Sequence, residues 1–213
     1  MADIIWDMSE RTIVRKTGDE PQQETLPDPQ LKKVKQGERM RFDAHANVVS
    51  MPEGMHLKKA TIFSNVPNGG VWELISDEGT AVGGRGTAPS PLMYFAAGLG
   101  FCLMSHVEML SKQMDIELKA VRLEQRSSWT TTLDFGGIHP SDVFGKGERM
   151  ELNLLVESDE PQDKLENFVA WCRQACMALQ TTAAATPSLT RLFVNGENIG
   201  DIGGESAFEQ APA

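Results

Sequence analysis

The chain lacks most of the features that announce a function class. Three cysteines in 213 residues are too few for a disulfide framework, which leaves them thiol chemistry, metal ligation or plain core packing. Basic charge is short as well: 20 Lys+Arg stand against 30 Asp+Glu, a net charge of −10. No positive field is available to hold a phosphate backbone, so nucleic acid is not an expected partner. The acidic start, Met1-Ala-Asp-Ile-Ile-Trp-Asp, has no basic segment leading into an apolar one, which points away from export and toward the cytoplasm. The longest strongly apolar stretch, Pro91 to Met104, contains Pro91, Gly98 and Gly100 and falls short of the about 20 residues a bilayer span takes. It is expected to be a buried helix, with no membrane partner. Gly83-Gly84-Arg85-Gly86 lacks the Lys-Ser/Thr ending of a phosphate loop and reads as a flexible connection. Trp6, Trp72, Trp129 and Trp171 have no spacing that suggests base stacking or a cofactor box. There is no internal repeat.

What is present suits one soluble globule with appendages. Apolar residues make up 40%, enough for a core. Residues 1–38, with Pro21, Pro27 and Pro29 among mixed charges, read as an arm that leans on the body or on a partner chain. From Arg39 the pattern turns to period two, with Met40, Phe42, Ala44, Ala46 and Val48 on one side: a half-buried strand. His56 to Phe63 and Gly70 to Ile75 read as two more, joined through Pro67-Asn68-Gly69-Gly70 into an antiparallel meander. Ser90-Pro91 opens a helix, since a first-turn proline needs no N–H donor. Leu92, Phe95, Leu99, Cys102, Leu103, His106 and Leu110 follow at helical steps. The helix is apolar nearly all round, as expected of one enclosed by the fold, and should end near Met114. Met93, Met104, Met109 and Met114 on it are expected to line the core or a ligand cavity. Leu118 to Thr130 and Arg149 to Glu157 are strands around an insertion at about 131–147. A second helix opens at Asp159-Glu160-Pro161 and carries Leu165, Phe168, Val169, Cys172, Cys176 and Leu179 along one side. Thr190 to Val194 closes as a strand, and 197–213 reads as a flexible tail. The domain proper is 39–196, and its class is α+β.

Each helix carries soft ligands one turn apart, Cys102 with His106 and Cys172 with Cys176, a spacing that puts each pair on one face. Free cysteine is among the most buried residue types, so small apolar core residues are one reading of all three. A lone buried histidine is more often hydrogen-bonded than metal-bound. If the helices run antiparallel with Cys102 facing Cys176, then His106 faces Cys172 and the four make a Cys3His zinc set.

The segment Ala88-Pro89-Ser90-Pro91-Leu92-Met93-Tyr94-Phe95-Ala96-Ala97-Gly98-Leu99-Gly100-Phe101-Cys102 resembles the helix of the OsmC/Ohr family (osmotically inducible protein C and organic hydroperoxide resistance proteins). There a Pro-initiated, Ala/Gly-rich helix carries a reactive cysteine. Arg173-Gln-Ala-Cys176 is similar to that family's second cysteine-bearing helix, and the order of strands and helices agrees over about residues 39–196. The resemblance implies an intertwined homodimer in which two long central helices are wrapped by antiparallel sheets, with each site at the subunit interface. It implies a thiol-dependent hydroperoxide reductase: Cys102 attacks the peroxide and becomes a sulfenic acid, and Cys176 resolves it as a disulfide. A dithiol reductant then restores the thiols, with no metal or organic cofactor. Leu92, Met93, Phe95 and Leu99 would line a pocket for an organic hydroperoxide.

The chain also departs from that family. Hydroperoxide-reducing members place a glutamate ten residues before the cysteine, or one residue later, to orient a thiol-activating arginine. Leu92 and Met93 stand at those positions, and the turn Ser50 to His56 holds no arginine. Lys58, Lys59, Arg39, Arg41 and Arg85 are the basic residues on hand for that role. His106, one turn from Cys102, is another candidate to stabilise a thiolate. The departure supports a rival reading, a non-catalytic small-molecule-binding dimer that has lost the activating residues.

Overall fold

The computed structural model describes residues 7–8, 11–17, 39, 41–54, 56–64, 66, 69–133, 136–137, 139–184, 186 and 188–201. The chain divides into two compact units, Met1–Phe95 and Ala96–Ala213.

The first unit is a small antiparallel β-structure. Strands β1 (Asp7–Met8) and β2 (Arg11–Thr12) pair with each other, while β3 (Val14–Thr17), β4 (Ala44–Ser50), β5 (Lys58–Ser64) and β6 (Val71–Ser76) form one sheet in the order β3-β6-β5-β4. The meander expected from the alternating pattern is therefore present, with an extra edge strand drawn from the arm. Strand β4 begins at Ala44, after Phe42, because its partner β5 ends at Ser64, the residue paired with Ala44; Met40 of the expected strand lies outside the described residues. Strand β5 begins after His56 because His56 takes a left-handed backbone, φ 69°, which breaks an extended run. Pro67 and Asn68 of the expected turn lie outside the described residues.

Between β6 and the first helix, residues 78–87 fold around a buried carboxylate. Asp77 is 1% exposed. Its Oδ2 accepts hydrogen bonds from the Thr87 hydroxyl (2.8 Å), the Thr87 N–H (3.1 Å) and the Arg85 N–H (3.3 Å), and its Oδ1 accepts from the Glu78 N–H (2.8 Å). The loop expected to be a flexible connection is thus tied down by four hydrogen bonds from three residues. Gly84 is required for close approach: a Cβ there would stand 1.9 Å from the Glu78 carbonyl oxygen. Helix α1 (Pro91–Gln113) follows, its first turn closed by bonds from the Met93 and Tyr94 N–H groups to the Ser90 carbonyl at 3.0 and 3.2 Å. The Tyr94 hydroxyl donates to the Ile75 carbonyl at 2.7 Å.

The second unit continues α1 and adds the hairpin β7 (Ala120–Thr131) and β8 (Gly145–Glu157), helices α2 (Gln162–Ala175) and α3 (Met177–Ala183), and the hairpin β9 (Arg191–Val194) and β10 (Glu197–Asp201). Its core joins Leu103, Val107 and Leu110 of α1 to Ile116, and to Phe168, Cys172, Cys176 and Leu179. Val121, Leu123, Leu152 and Leu154 close it from the hairpin. Polar ties fix the start of α2: Lys164 Nζ donates to the Asp115 carbonyl (2.9 Å) and to Glu160 (2.8 Å), whose Oε1 takes the Glu117 N–H at 3.1 Å. Asp115, at φ 53°, turns the chain out of α1, and the Ile116 N–H closes the end on the Ser111 carbonyl at 2.8 Å.

Three expectations need correction. The second helix is not continuous: Cys176 has φ −70° and ψ 104°, an extended conformation that ends α2 and starts α3, so the chain is α+β with three helices. Residues 197–201 are not tail but strand β10. Asn195 (φ 52°) and Gly196 (φ 87°) both adopt the positive φ of a type I′ turn, whose twist matches a two-residue hairpin. Finally, α1 is not enclosed within the single chain. Its 23 residues make it long and apolar enough, by length and composition alone, to cross a bilayer. Leu99, Leu103, Val107 and Leu110 are buried, but Leu92, Met93, Phe95, Phe101 and Met109 are exposed, Phe101 to 71%. In the second unit, core packing takes up the Leu103, Val107, Leu110 face with Cys102 and Met114 beside it, and leaves Phe101 and Met109 exposed.

Candidate functional site

Helix geometry makes half of the site. Cys102 and His106 sit one turn apart on α1, and the Cys102 Sγ lies 4.0 Å from His106 Nδ1. The same Nδ1 is 2.7 Å from the Cys102 carbonyl oxygen. A carbonyl can only accept, so this contact assigns the ring proton to Nδ1 and leaves the Nε2 lone pair on the neutral imidazole. The break between α2 and α3 makes the other half. It carries Cys176, fully buried, and its N–H still donates to the Cys172 carbonyl at 3.1 Å. One donor atom from each of Cys102, His106 and Cys176 lies within 4.8 Å of the other two. All three cysteines are free thiols.

The three thiols differ in environment. Cys102 is half-buried, whereas Cys172 and Cys176 are fully buried. Burial pushes the Cys172 thiol up to about 11, with the neighbouring Cys176 adding to the shift. Cys176 is also raised, first by burial and then by its hydrogen bond with Cys102 and the charge Cys102 carries when ionised. Cys172 stands outside the cluster; its S–H is directed at the His106 carbonyl, 3.9 Å away. Of the four residues expected from spacing as a zinc set, Cys102, His106 and Cys176 bring donor atoms together, whereas the Cys172 sulfur is turned to the His106 carbonyl.

Within the second unit, among the described residues, no lysine or arginine hydrogen-bonds to Cys102. Of the basic residues named from the sequence, Lys58, Lys59, Arg41 and Arg85 have other engagements in the first unit. Lys59 and Arg15 pair with Glu73, Arg41 with Asp43, Lys58 donates to the His56 carbonyl, and the Arg85 guanidinium lies against Gly54.

Leu92, Met93 and Phe95, expected to line a substrate pocket, are exposed, and Leu99 is buried. Two cavities of the second unit are lined by other residues. One, of about 330 Å³, is walled by Ala96, Ala97, Gly100, Phe101, Met104, Leu123 and Gln125. The other, of about 530 Å³, has Leu103, Leu152, Leu154, Val169 and Leu179 as its apolar walls and reaches Cys172, Arg149 and Arg173. Of the helix methionines, Met104 lines a cavity and Met114 packs on the core, while Met93 and Met109 face outward. Sequence reasoning missed this second cavity, whose lining is drawn from α1, β8, α2 and α3 with no local signal. It also missed Asp77, which only its burial distinguishes from a surface aspartate.

Among curated proteins none matches the chain. Similar solved structures include an OsmC-like hydroperoxide resistance protein from Jannaschia sp. CCS1, 20% identical, covering 76% of this chain and 96% of that one with a TM-score of 0.47. An OsmC-like protein from Mycoplasma pneumoniae is 14% identical, with 68% and 89% covered and a TM-score of 0.49. The organic hydroperoxide resistance protein OhrB of Bacillus subtilis is 22% identical, with 66% and 92% covered and a TM-score of 0.39. A family model described as OsmC-like protein matches residues 84–190, about half of the chain, including α1, α2, α3 and all three cysteines. The chain belongs to the OsmC-like protein family.

Proposed function

We propose that this protein is a cytoplasmic thiol-dependent hydroperoxide reductase that works as a homodimer, with Cys102 as nucleophile and Cys176 as resolving thiol. The observation that carries the reading is the meeting of two thiols and an imidazole within 4.8 Å. Cys102 is the attacker because it is the half-buried member of the pair, whereas Cys176 is sealed and held as a thiol by its burial. The Cys102 thiolate takes the distal peroxide oxygen, the O–O bond breaks, and the alkoxide leaves as an alcohol after gaining a proton. The sulfenic acid then condenses with the Cys176 thiol, forming the S–S bond and releasing water. An external dithiol reduces that disulfide by exchange. His106 stands where it can hold the thiolate in place of the family's arginine. The apolar residues exposed on α1, Leu92, Met93, Phe95 and Phe101, support burial against a second chain, where they would also surround an apolar hydroperoxide.

The decisive measurement is the rate at which the reduced protein consumes an alkyl hydroperoxide, relative to free cysteine at the same pH. Acceleration by several decades is expected, abolished in Cys102→Ser. In Cys176→Ser a dione probe should trap the sulfenic acid after one turnover. Parity with free cysteine would favour the second reading, a non-catalytic small-molecule binder. Leu92 and Met93 at the family's glutamate positions and the lack, among the described residues of the second unit, of a lysine or arginine bonded to Cys102 support that rival.

A further inference from the structure

We infer that Cys102, His106 and Cys176 form a three-ligand site for a soft divalent cation, Zn²⁺, and that its occupancy holds both thiols out of peroxide chemistry. Metal binding itself rests on the geometry of the cluster alone; the block on catalysis rests on the hydroperoxide reductase reading.

Tetrahedral zinc, with bonds of about 2.3 Å to sulfur and about 2.05 Å to nitrogen, sets two sulfurs roughly 3.8 Å apart and a sulfur and a nitrogen roughly 3.6 Å apart. No separation between the donor atoms of the cluster exceeds 4.8 Å. Side-chain movements of roughly 1 Å close these gaps to ligand spacing. The donors come from two helical pieces rather than loops: a one-turn pair on α1 and the junction of α2 with α3. The group is two sulfurs and an imidazole with no carboxylate, a set that suits zinc and repels the hard cations Mg²⁺ and Ca²⁺. The backbone supplies the outer contact as well. With Nδ1–H held on the Cys102 carbonyl at 2.7 Å, the tautomer that leaves Nε2 as the ligand atom is selected by the kind of partner that metal-binding histidines use. Three protein ligands leave a fourth position for water, the open pattern of a labile rather than a purely structural site.

Binding converts two thiols and Zn²⁺ to a zinc dithiolate and two protons. Reaction with a hydroperoxide takes up two protons and yields the Cys102–Cys176 disulfide, an alcohol, water and free Zn²⁺. The sulfurs are oxidised, the peroxide is reduced, and the metal keeps its charge. Zinc thus protects the thiols and slows the reductase, and oxidation expels the zinc.

The test titrates reduced, metal-free, full-length protein with Co²⁺, followed by its sulfur-to-metal charge-transfer band, and with Zn²⁺ against a chromogenic chelator. One equivalent per chain is expected. Cys102→Ser and Cys176→Ser should each cut the charge-transfer intensity by about half and weaken Zn²⁺ binding at least tenfold. His106→Gln should weaken it about tenfold, and Cys172→Ser should leave it unchanged. A wild-type protein that stays folded but shows no cobalt–thiolate band overturns the inference, as does binding that survives both serine variants or needs Cys172. Protein that binds one zinc yet consumes no hydroperoxide keeps the metal site and removes the reductase. Protein that reduces hydroperoxide equally fast with one equivalent of zinc present removes the metal block and keeps the reductase.

Discussion

Asp77→Asn puts the most weight on one buried atom pair. An amide keeps one oxygen and replaces the other by NH2. In its better orientation the remaining oxygen takes the Oδ2 place and still accepts from Arg85 N–H, Thr87 N–H and the Thr87 hydroxyl, while NH2 confronts the Glu78 N–H at 2.8 Å. One hydrogen bond to a charged acceptor is lost, worth about 1.5–3 kcal/mol, and three fall from charge-assisted to neutral. Asp77 is covered yet close to the surface, so the weaker end of these values applies, and the sum is about 2–4 kcal/mol. With an m-value of roughly 2 kcal/mol/M, the urea midpoint should drop by about 1–2 M. Thr87→Val, which loses only the hydroxyl bond, should cost about a third of that. The pH dependence has a defined sign. Burial acts to raise the Asp77 carboxyl, but hydrogen bonds from Thr87, Glu78 and Arg85 outweigh it and hold the group below an ordinary aspartate. The ionised form therefore stabilises the fold, fully above the unfolded value near about 4 and progressively less as pH falls through the lower folded value. Asp77→Asn should erase this part of the acid sensitivity. A variant within about 0.5 kcal/mol of wild type at pH 7, or one with unchanged acid unfolding, would refute the reasoning.

Three further outcomes follow from the same packing. Phe168→Ala empties the fully buried centre of the second unit and should cost about 3–5 kcal/mol by urea unfolding; a loss below about 1 kcal/mol would mean the core is not packed there. Gly84→Ala drives a Cβ onto the Glu78 carbonyl and should lose about 1–3 kcal/mol by thermal unfolding, a prediction that an unchanged Tm defeats. Because burial lifts the Cys172 thiol to about 11, its alkylation should be the slowest of an exposed-to-buried series and climb about tenfold per pH unit from 8 to 10. Its neutral form stabilises the fold, a contribution that wanes as pH rises from about 9 toward 11, and alkylation levelling off near pH 9 contradicts that environment.

Much of the secondary structure was legible because it follows local rules. Pro91 after Ser90 marked the first turn of α1, and three- and four-residue apolar steps carried it to Gln113. Alternation over Leu118 to Thr130 foretold β7. The misreadings share a cause: the deciding atoms are remote in sequence. Nothing in Arg173 to Leu179 signals that the helix breaks at Cys176, since every residue there tolerates a helix. The glycines of 83–86 looked flexible because the carboxylate that ties them down is supplied by Asp77 and hidden only by folding. Asn195-Gly196 is the exception, a local hairpin signal carried by the sequence itself.

The sequence alone determined which residues could do chemistry: two soft ligands one helical turn apart on an apolar helix, further thiols on a second segment, and no basic field for polyanions. Periodicity is a property of the backbone, so helix and strand were set before any tertiary contact. Which sulfur meets which was decided only in three dimensions. The packing of α1 against the α2–α3 junction brings the Cys176 thiol to Cys102 and His106 and leaves Cys172 in the core facing a carbonyl, because side-chain proximity across about seventy residues is a tertiary property.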